Sequence, residues 1–124
     1  MMYDLTFVIQ ICIRWSAPET VLHNHFTIKS DVWSFGILLY ETVTHGQFPY
    51  PDMSDSQVLE AIQQDYRMPC PMGCPDQLYE IMRECWREDP ESRPTFETLQ
   101  WRLEEFFTEA DGQTGYRDPD EILK

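Results

Sequence analysis

Residues 30–45 read SDVWSFGILLYETVTH. Val32, Trp33, Phe35, Ile37, Leu38, Leu39 and Val43 point around the whole circumference of a helix of that length. An apolar stripe marks a surface helix, whereas apolar residues on all sides mark a buried one. The stretch is therefore expected to be the central helix of an all-α domain. Gly46 follows as the usual C-terminal stop, and His45 suits the negative end of the helix dipole.

Three further helices are expected around it. Ser54-Asp55-Ser56-Gln57 reads as a capping box, with Met53 and Val58 at the staple positions. Val58, Leu59 and Ile62 then form one apolar face. Pro75-Asp76 opens the next helix, where Leu78, Ile81, Met82, Cys85 and Trp86 follow the i, i+3, i+4, i+7, i+8 pattern. Pro94 is expected to start the last helix, with Phe96, Leu99, Leu103, Phe106 and Phe107 inward and Thr98, Arg102, Glu105 and Glu109 toward water. The periodicity ends at Phe107. Residues 108–124, rich in acids with Gly112, Gly115 and Pro119, read as a disordered acidic tail. There is no internal repeat, and the one candidate strand is residues 5–13.

The chain has 124 residues, enough for one domain, and 42% are apolar. Its net charge of −13, from 22 acids against 9 bases, argues against a nucleic-acid or anionic-membrane surface. No basic n-region precedes the apolar run at 5–13, which is too short to span a bilayer. A reducing cytoplasm with free thiols is the expected setting for Cys12, Cys70, Cys74 and Cys85. Cys70-x-x-x-Cys74 and His23-x-His25 offer four possible metal ligands. Pro69, Pro71 and Pro75 around the cysteines favour an ordinary loop before a helix, so no metal is expected.

A set of short motifs points to a family. IRWSAPE at 13–19 contains the APE tripeptide that closes a kinase activation segment. It is followed in order by SDVWSFGILLYE at 30–41, CW at 85–86 and RPTF at 93–96. Residues 13–107 resemble the C-terminal lobe of protein kinases, specifically Src-related cytoplasmic tyrosine kinases and, among them, the Fyn-related kinases. Arg14-Trp15 before the APE is similar to the tyrosine-kinase form. The chain thus divides into an atypical stretch at 1–12, a kinase C-lobe at 13–107 and the tail at 108–124.

The resemblance implies roles residue by residue. Glu19 and Arg93 match a buried ion pair that ties the activation segment to the last helices. Asp31 matches a helix-start aspartate that hydrogen-bonds the catalytic-loop backbone; read by itself it is a first-turn acid favoured by the dipole. Arg14, Trp15 and Ser16 match the loop that receives the residue after the substrate tyrosine. Family members often carry Pro in place of Cys12 and Thr in place of Ser16. Trp33 and Trp86 match core positions. Tyr116 resembles the regulatory tail tyrosine of Src-type kinases and is a candidate phosphosite, as is Tyr3, which shares the activation-loop tyrosine's spacing to Trp15. The alternative readings are a solvated tail tyrosine at 116 and, at Tyr3, an unrelated N-terminal stretch, since residues 5–13 are apolar where that loop is charged.

The intact family uses ATP and Mg, and the elements that hold them can be sought directly. The glycines, at 36, 46, 73, 112 and 115, never form G-x-G-x-x-G. Lys29 enters the apolar helix and Lys124 ends the chain. His23, His25 and His45 are followed by Asn, Phe and Gly, so there is no H-R-D, and D-F-G does not occur. The expectation is a piece of a tyrosine kinase, inactive alone, with no catalytic, cofactor or metal residue of its own and with protein substrates or kinase partners. The other reading is a non-catalytic helical interaction module. In either case residues 30–45 have few helices to cover them, and an exposed apolar patch is expected.

Overall fold

In the computed structural model, which describes residues 13–114 (side chains through 108), every regular element is a helix. A 3-10 turn at Ile13–Trp15 leads into α1 (Pro18–His23), α2 (Ile28–Val43), α3 (Asp55–Gln63), α4 (Asp76–Cys85), a 3-10 turn at Pro90–Ser92 and α5 (Phe96–Thr114). Among the described residues no helix is long and apolar enough to cross a membrane. The candidate strand at 5–13, apart from Ile13, falls outside the described residues, as do Tyr3 and Tyr116.

The central helix starts earlier than residue 30. The Thr27 hydroxyl accepts from the Lys29 and Ser30 amides, and Ser30 Oγ accepts from the Thr27 amide. This is a capping box with serine rather than Glu or Gln at its third position, which hid the start. The helix also stops earlier, at Val43. His45 and Gly46 both take positive φ, 59° and 95°, and the Gly46 amide closes onto the Glu41 carbonyl at 2.7 Å. His45 therefore belongs to the turn after the helix, not to its last turn.

Burial of α2 is one-sided, a correction to the all-round expectation. Val32, Trp33, Gly36, Ile37 and Tyr40 are buried, while Ile28 is 65% and Leu38 53% exposed. The expected apolar exposure is thus present on its far side. Helix α4 packs along the buried side with Leu78, Ile81, Met82, Cys85 and the following Trp86.

Gly36 is what lets the two helices meet. A Cβ there would lie 2.6 Å from Trp86 Nε1 and 2.7 Å from Cys85 Cβ. Mid-helix glycine costs about 1 kcal/mol against alanine, so helix propensity alone favours Gly36→Ala. Overpacking costs roughly 1–3 kcal/mol. The expected result is net destabilisation in urea unfolding; a net gain would show that the close approach is absent.

The α3 capping box forms as read: the Gln57 amide donates to Ser54 Oγ (3.2 Å) and the Ser54 amide to Gln57 Oε1 (2.8 Å). Val58 and Ile62 are buried. Helix α1 was not anticipated. It is too short for periodicity to reveal, but Pro18 at its start and Asn24 at φ 58° after its end were its legible signals.

The last helix begins at Phe96, after Thr95, whose Oγ1 accepts from the Thr98 amide at 3.1 Å. Leu99 is buried and Leu103 and Phe106 are partly so. Phe107 faces outward, 56% exposed, whereas Phe96 lies at the margin, with its ring edge-on to Phe35 of α2 at 5.8 Å. Arg102 is half-buried and pairs with Glu84 of α4 instead of facing water, since the opposite charge lies across the helix contact. The helix continues to Thr114, past the tail boundary expected at 108. Once nucleated, backbone hydrogen bonds propagate without an apolar face.

Candidate functional site

The residues singled out by the motifs converge where 13–19 lies against α2 and the loop before α5. Pro18 starts α1 and puts Glu19 in its first turn. Arg93 follows the Pro90–Ser92 turn, and its side chain is 0% exposed. Its Nη1 reaches Glu19 Oε2 at 2.8 Å and its Nη2 reaches Glu19 Oε1 at 2.9 Å. The fork-on-fork geometry is the strong form of the Arg–carboxylate pair.

The pair is fully enclosed by partners. Arg93 also donates to the carbonyls of Arg87 (2.8 Å), Lys29 (3.0 Å) and Glu88 (3.3 Å), which occupies all five guanidinium N–H groups. Ser30 Oγ donates to Glu19 Oε2 at 2.9 Å, and Lys29 Nζ donates to the Arg93 carbonyl at 2.6 Å. Burial by itself raises the Glu19 pKa. Hydrogen bonds from Arg93, the backbone and Ser30, with the Arg93 charge, outweigh it, and the carboxyl lies below the ordinary glutamate value.

Trp33 forms the floor of this arrangement. Its ring is 5.1 Å from the Arg93 guanidinium and 4.9 Å from that of Arg67, which donates to the Trp86 carbonyl at 2.7 Å. Trp33 and Trp86 are both fully buried. Asp31 is exposed in the first turn of α2, and no described side chain pairs with it.

The substrate-loop candidates are placed unequally. Arg14 is buried and acts as a clamp. Its Nη1 donates to the carbonyls of Pro49 (2.9 Å) and Tyr50 (2.8 Å), its Nη2 to that of Met53 (2.5 Å) and its Nε to Asp55 (3.1 Å). Its guanidinium also lies 4.5 Å from the Phe48 ring centre. Trp15 is half-buried: its Nε1 donates to Glu41 (2.7 Å), its ring meets Phe48 edge-on, and its carbonyl accepts from Ser34 Oγ (2.6 Å). Ser16 is half-buried, with its amide on the Ile13 carbonyl at 3.2 Å.

Sequence reasoning missed the Arg14 clamp, the double clasp of Lys29 and Arg93, and the stacking of Arg67 on Trp33. No local signal could have found them, because the partners are 19 to 64 residues apart or meet only through the fold. Chemically the arrangement holds backbone in place. Among the described residues no three His, Cys, Asp or Glu side chains converge as a metal site.

A model of the family described as "Protein tyrosine and serine/threonine kinase" matches residues 3–103. Tyrosine-protein kinase SRK3 of Spongilla lacustris is 58% identical over 107 residues, 86% of this chain and 32% of that protein. Tyrosine-protein kinase SRK2 of the same organism is 55% identical over 111 residues, 90% of this chain and 31% of that protein. Tyrosine-protein kinase FRK of Homo sapiens is 48% identical over 122 residues, 98% of this chain and 24% of that protein. The chain therefore spans a quarter to a third of the length of these curated relatives.

Proposed function

This chain belongs to the family of protein tyrosine and serine/threonine kinases, and on that premise we propose that it supplies the helical, substrate-side part of a tyrosine kinase. The reaction is transfer of the γ-phosphoryl group of MgATP to the hydroxyl of a protein tyrosine. Such transfer is catalysed almost entirely by positioning and charge stabilisation. ATP supplies the phosphoryl group and magnesium neutralises its charge; the metal's ligands are assigned to none of the described residues. What these residues contribute is a rigid loop beside the acceptor tyrosine.

The observation that carries this reading is the saturated Glu19–Arg93 pair, supported by the Arg14 clamp. Together they pin both ends of residues 14–19 to the helical body. Trp15 and Ser16 then form the loop that meets the residue following the substrate tyrosine, with Arg14 shaping that loop from beneath. Tyr3 and Tyr116 are proposed phosphosites. The cytoplasm is the compartment this reading implies, and the free thiols of Cys70, Cys74 and Cys85 are in keeping with it.

A second reading, a non-catalytic helical module that binds kinase partners or substrates, is favoured by the exposed apolar side chains of Phe26, Ile28 and Leu38. Two assays separate the readings. The purified chain is expected to show no MgATP-dependent phosphorylation of a tyrosine polymer. Fused in frame behind the remainder of human FRK, in place of the matching segment, it is expected to restore that activity. Phosphotransfer by the isolated chain would sink the proposed dependence on further elements. A folded but inactive fusion would favour the second reading.

A further inference from the structure

The loop between α3 and α4 carries Cys70 and Cys74, which the kinase reading leaves unused. Its ends are fixed. Met68 is buried, and its carbonyl accepts from the Tyr79 hydroxyl at 2.7 Å. Pro69, Pro71 and Pro75 restrict the backbone, and the chain turns through Gly73 at φ 82°. The Cys74 amide closes that turn onto the Pro71 carbonyl at 3.0 Å.

This turn folds Cys70 back over Cys74. The Cys70 thiol donates to the Cys74 carbonyl at 3.5 Å, and the Cys74 thiol donates to the Pro75 carbonyl at 3.5 Å. Cys70 is exposed and Cys74 half-buried, so both sulfurs are open to a small reagent. Cys85 differs: it is fully buried against α2. With no third ligand beside the pair among the described residues, two thiols in one turn suit a covalent link better than a metal.

We propose that Cys70 and Cys74 are a redox-active pair that closes to a disulfide within the loop when the chain meets a hydroperoxide. The Cys70 thiolate attacks a peroxide oxygen. An S–O bond forms, the O–O bond breaks, and the leaving alkoxide or hydroxide takes a proton. The Cys74 sulfur, giving its proton to water, then attacks the Cys70 sulfenic acid. The S–S bond forms, the S–O bond breaks, and hydroxide leaves as water. Two thiols and one hydroperoxide yield one disulfide, one alcohol and one water.

The order of attack follows from the surroundings. Cys70 is exposed and meets the peroxide first, while Cys74 is half-buried behind it; burial, then the neighbouring Cys70 sulfur, pushes the Cys74 thiol up to about 11, which makes it the weaker first nucleophile. Burial pushes Cys85 to about 12, which keeps it out of the reaction.

The test treats the purified full chain with hydrogen peroxide, blocks remaining thiols and maps peptides by mass. The expected product has lost two hydrogens, joins the Cys70 and Cys74 positions and reverts with dithiothreitol. Closure is expected to slow roughly tenfold or more in denaturing urea, because the folded turn holds the sulfurs at high effective concentration. In Cys74→Ser, Cys70 is expected to stop at the sulfenic acid and be trapped by dimedone. A link to Cys12 or Cys85, sulfinic acid at Cys70 with Cys74 still free, an equal rate in urea, or no dimedone adduct would each overturn the proposal.

Discussion

Replacing Arg93 by methionine is expected to lower stability by about 3–5 kcal/mol, read as a shift in the urea unfolding midpoint at neutral pH. The change strands the Glu19 carboxylate and leaves the carbonyls of Lys29, Arg87 and Glu88 without their donor. Glu19→Gln is expected to cost less, since the amide oxygen still accepts from Arg93 and Ser30. Replacing both partners by apolar residues is expected to cost less than the two single changes summed, because no lone charge remains. Strict additivity would mean that the two groups do not act as a pair.

The same pair sets a pH dependence. The folded-state pKa of Glu19 lies below its unfolded value. Its contribution is therefore complete above the ordinary glutamate pKa and is lost as pH falls through the lower folded-state value. Urea midpoints measured from neutral to acidic pH are expected to fall in that window for the unaltered chain. The Glu19→Gln curve is expected to be flatter there. Parallel curves would show that other carboxylates carry the acid sensitivity.

Arg14→Ala is expected to cost about 3 kcal/mol, since one stranded buried carbonyl alone costs roughly 1–3 kcal/mol. Three carbonyls, of Pro49, Tyr50 and Met53, lose their donor at once, and the α3 start loses the partner of Asp55. Arg14→Lys is expected to recover less than half. An ammonium carries the charge but lacks the planar fork that reaches carbonyls on two sides. In the FRK fusion, the loop reading further expects these variants to raise the KM for a peptide through loosening of Trp15 and Ser16. Unchanged stability with an altered KM would mean that Arg14 touches the peptide directly.

Elements with a local physical cause were legible in the chain. The α3 capping box needs four consecutive residues, and the apolar face of α4 repeats every turn, so both could be read without a fold. The family was legible for a similar reason: APE, SDVWSFG, CW and RPTF are short and stand in order. The errors lie where context decides. Apolar residues around α2 could not say which side would be covered, because periodicity measures a helix's own surface and not its neighbours. Phe107 looked inward by period yet faces outward, since helix α4 occupies only one side of α5.

What the sequence by itself determined is four of the five helices, the α3 capping box and the kinship with kinases, all consequences of interactions within a few residues along the chain. Only the tertiary structure decided the site. Arg93 meets Glu19 from 74 residues away, Arg14 gathers carbonyls 35 to 39 residues ahead, and Gly36 is glycine because Trp86 lies against it. Burial turns these distant groups into partners: once water is excluded, each donor and acceptor must be satisfied by whatever the fold brings beside it.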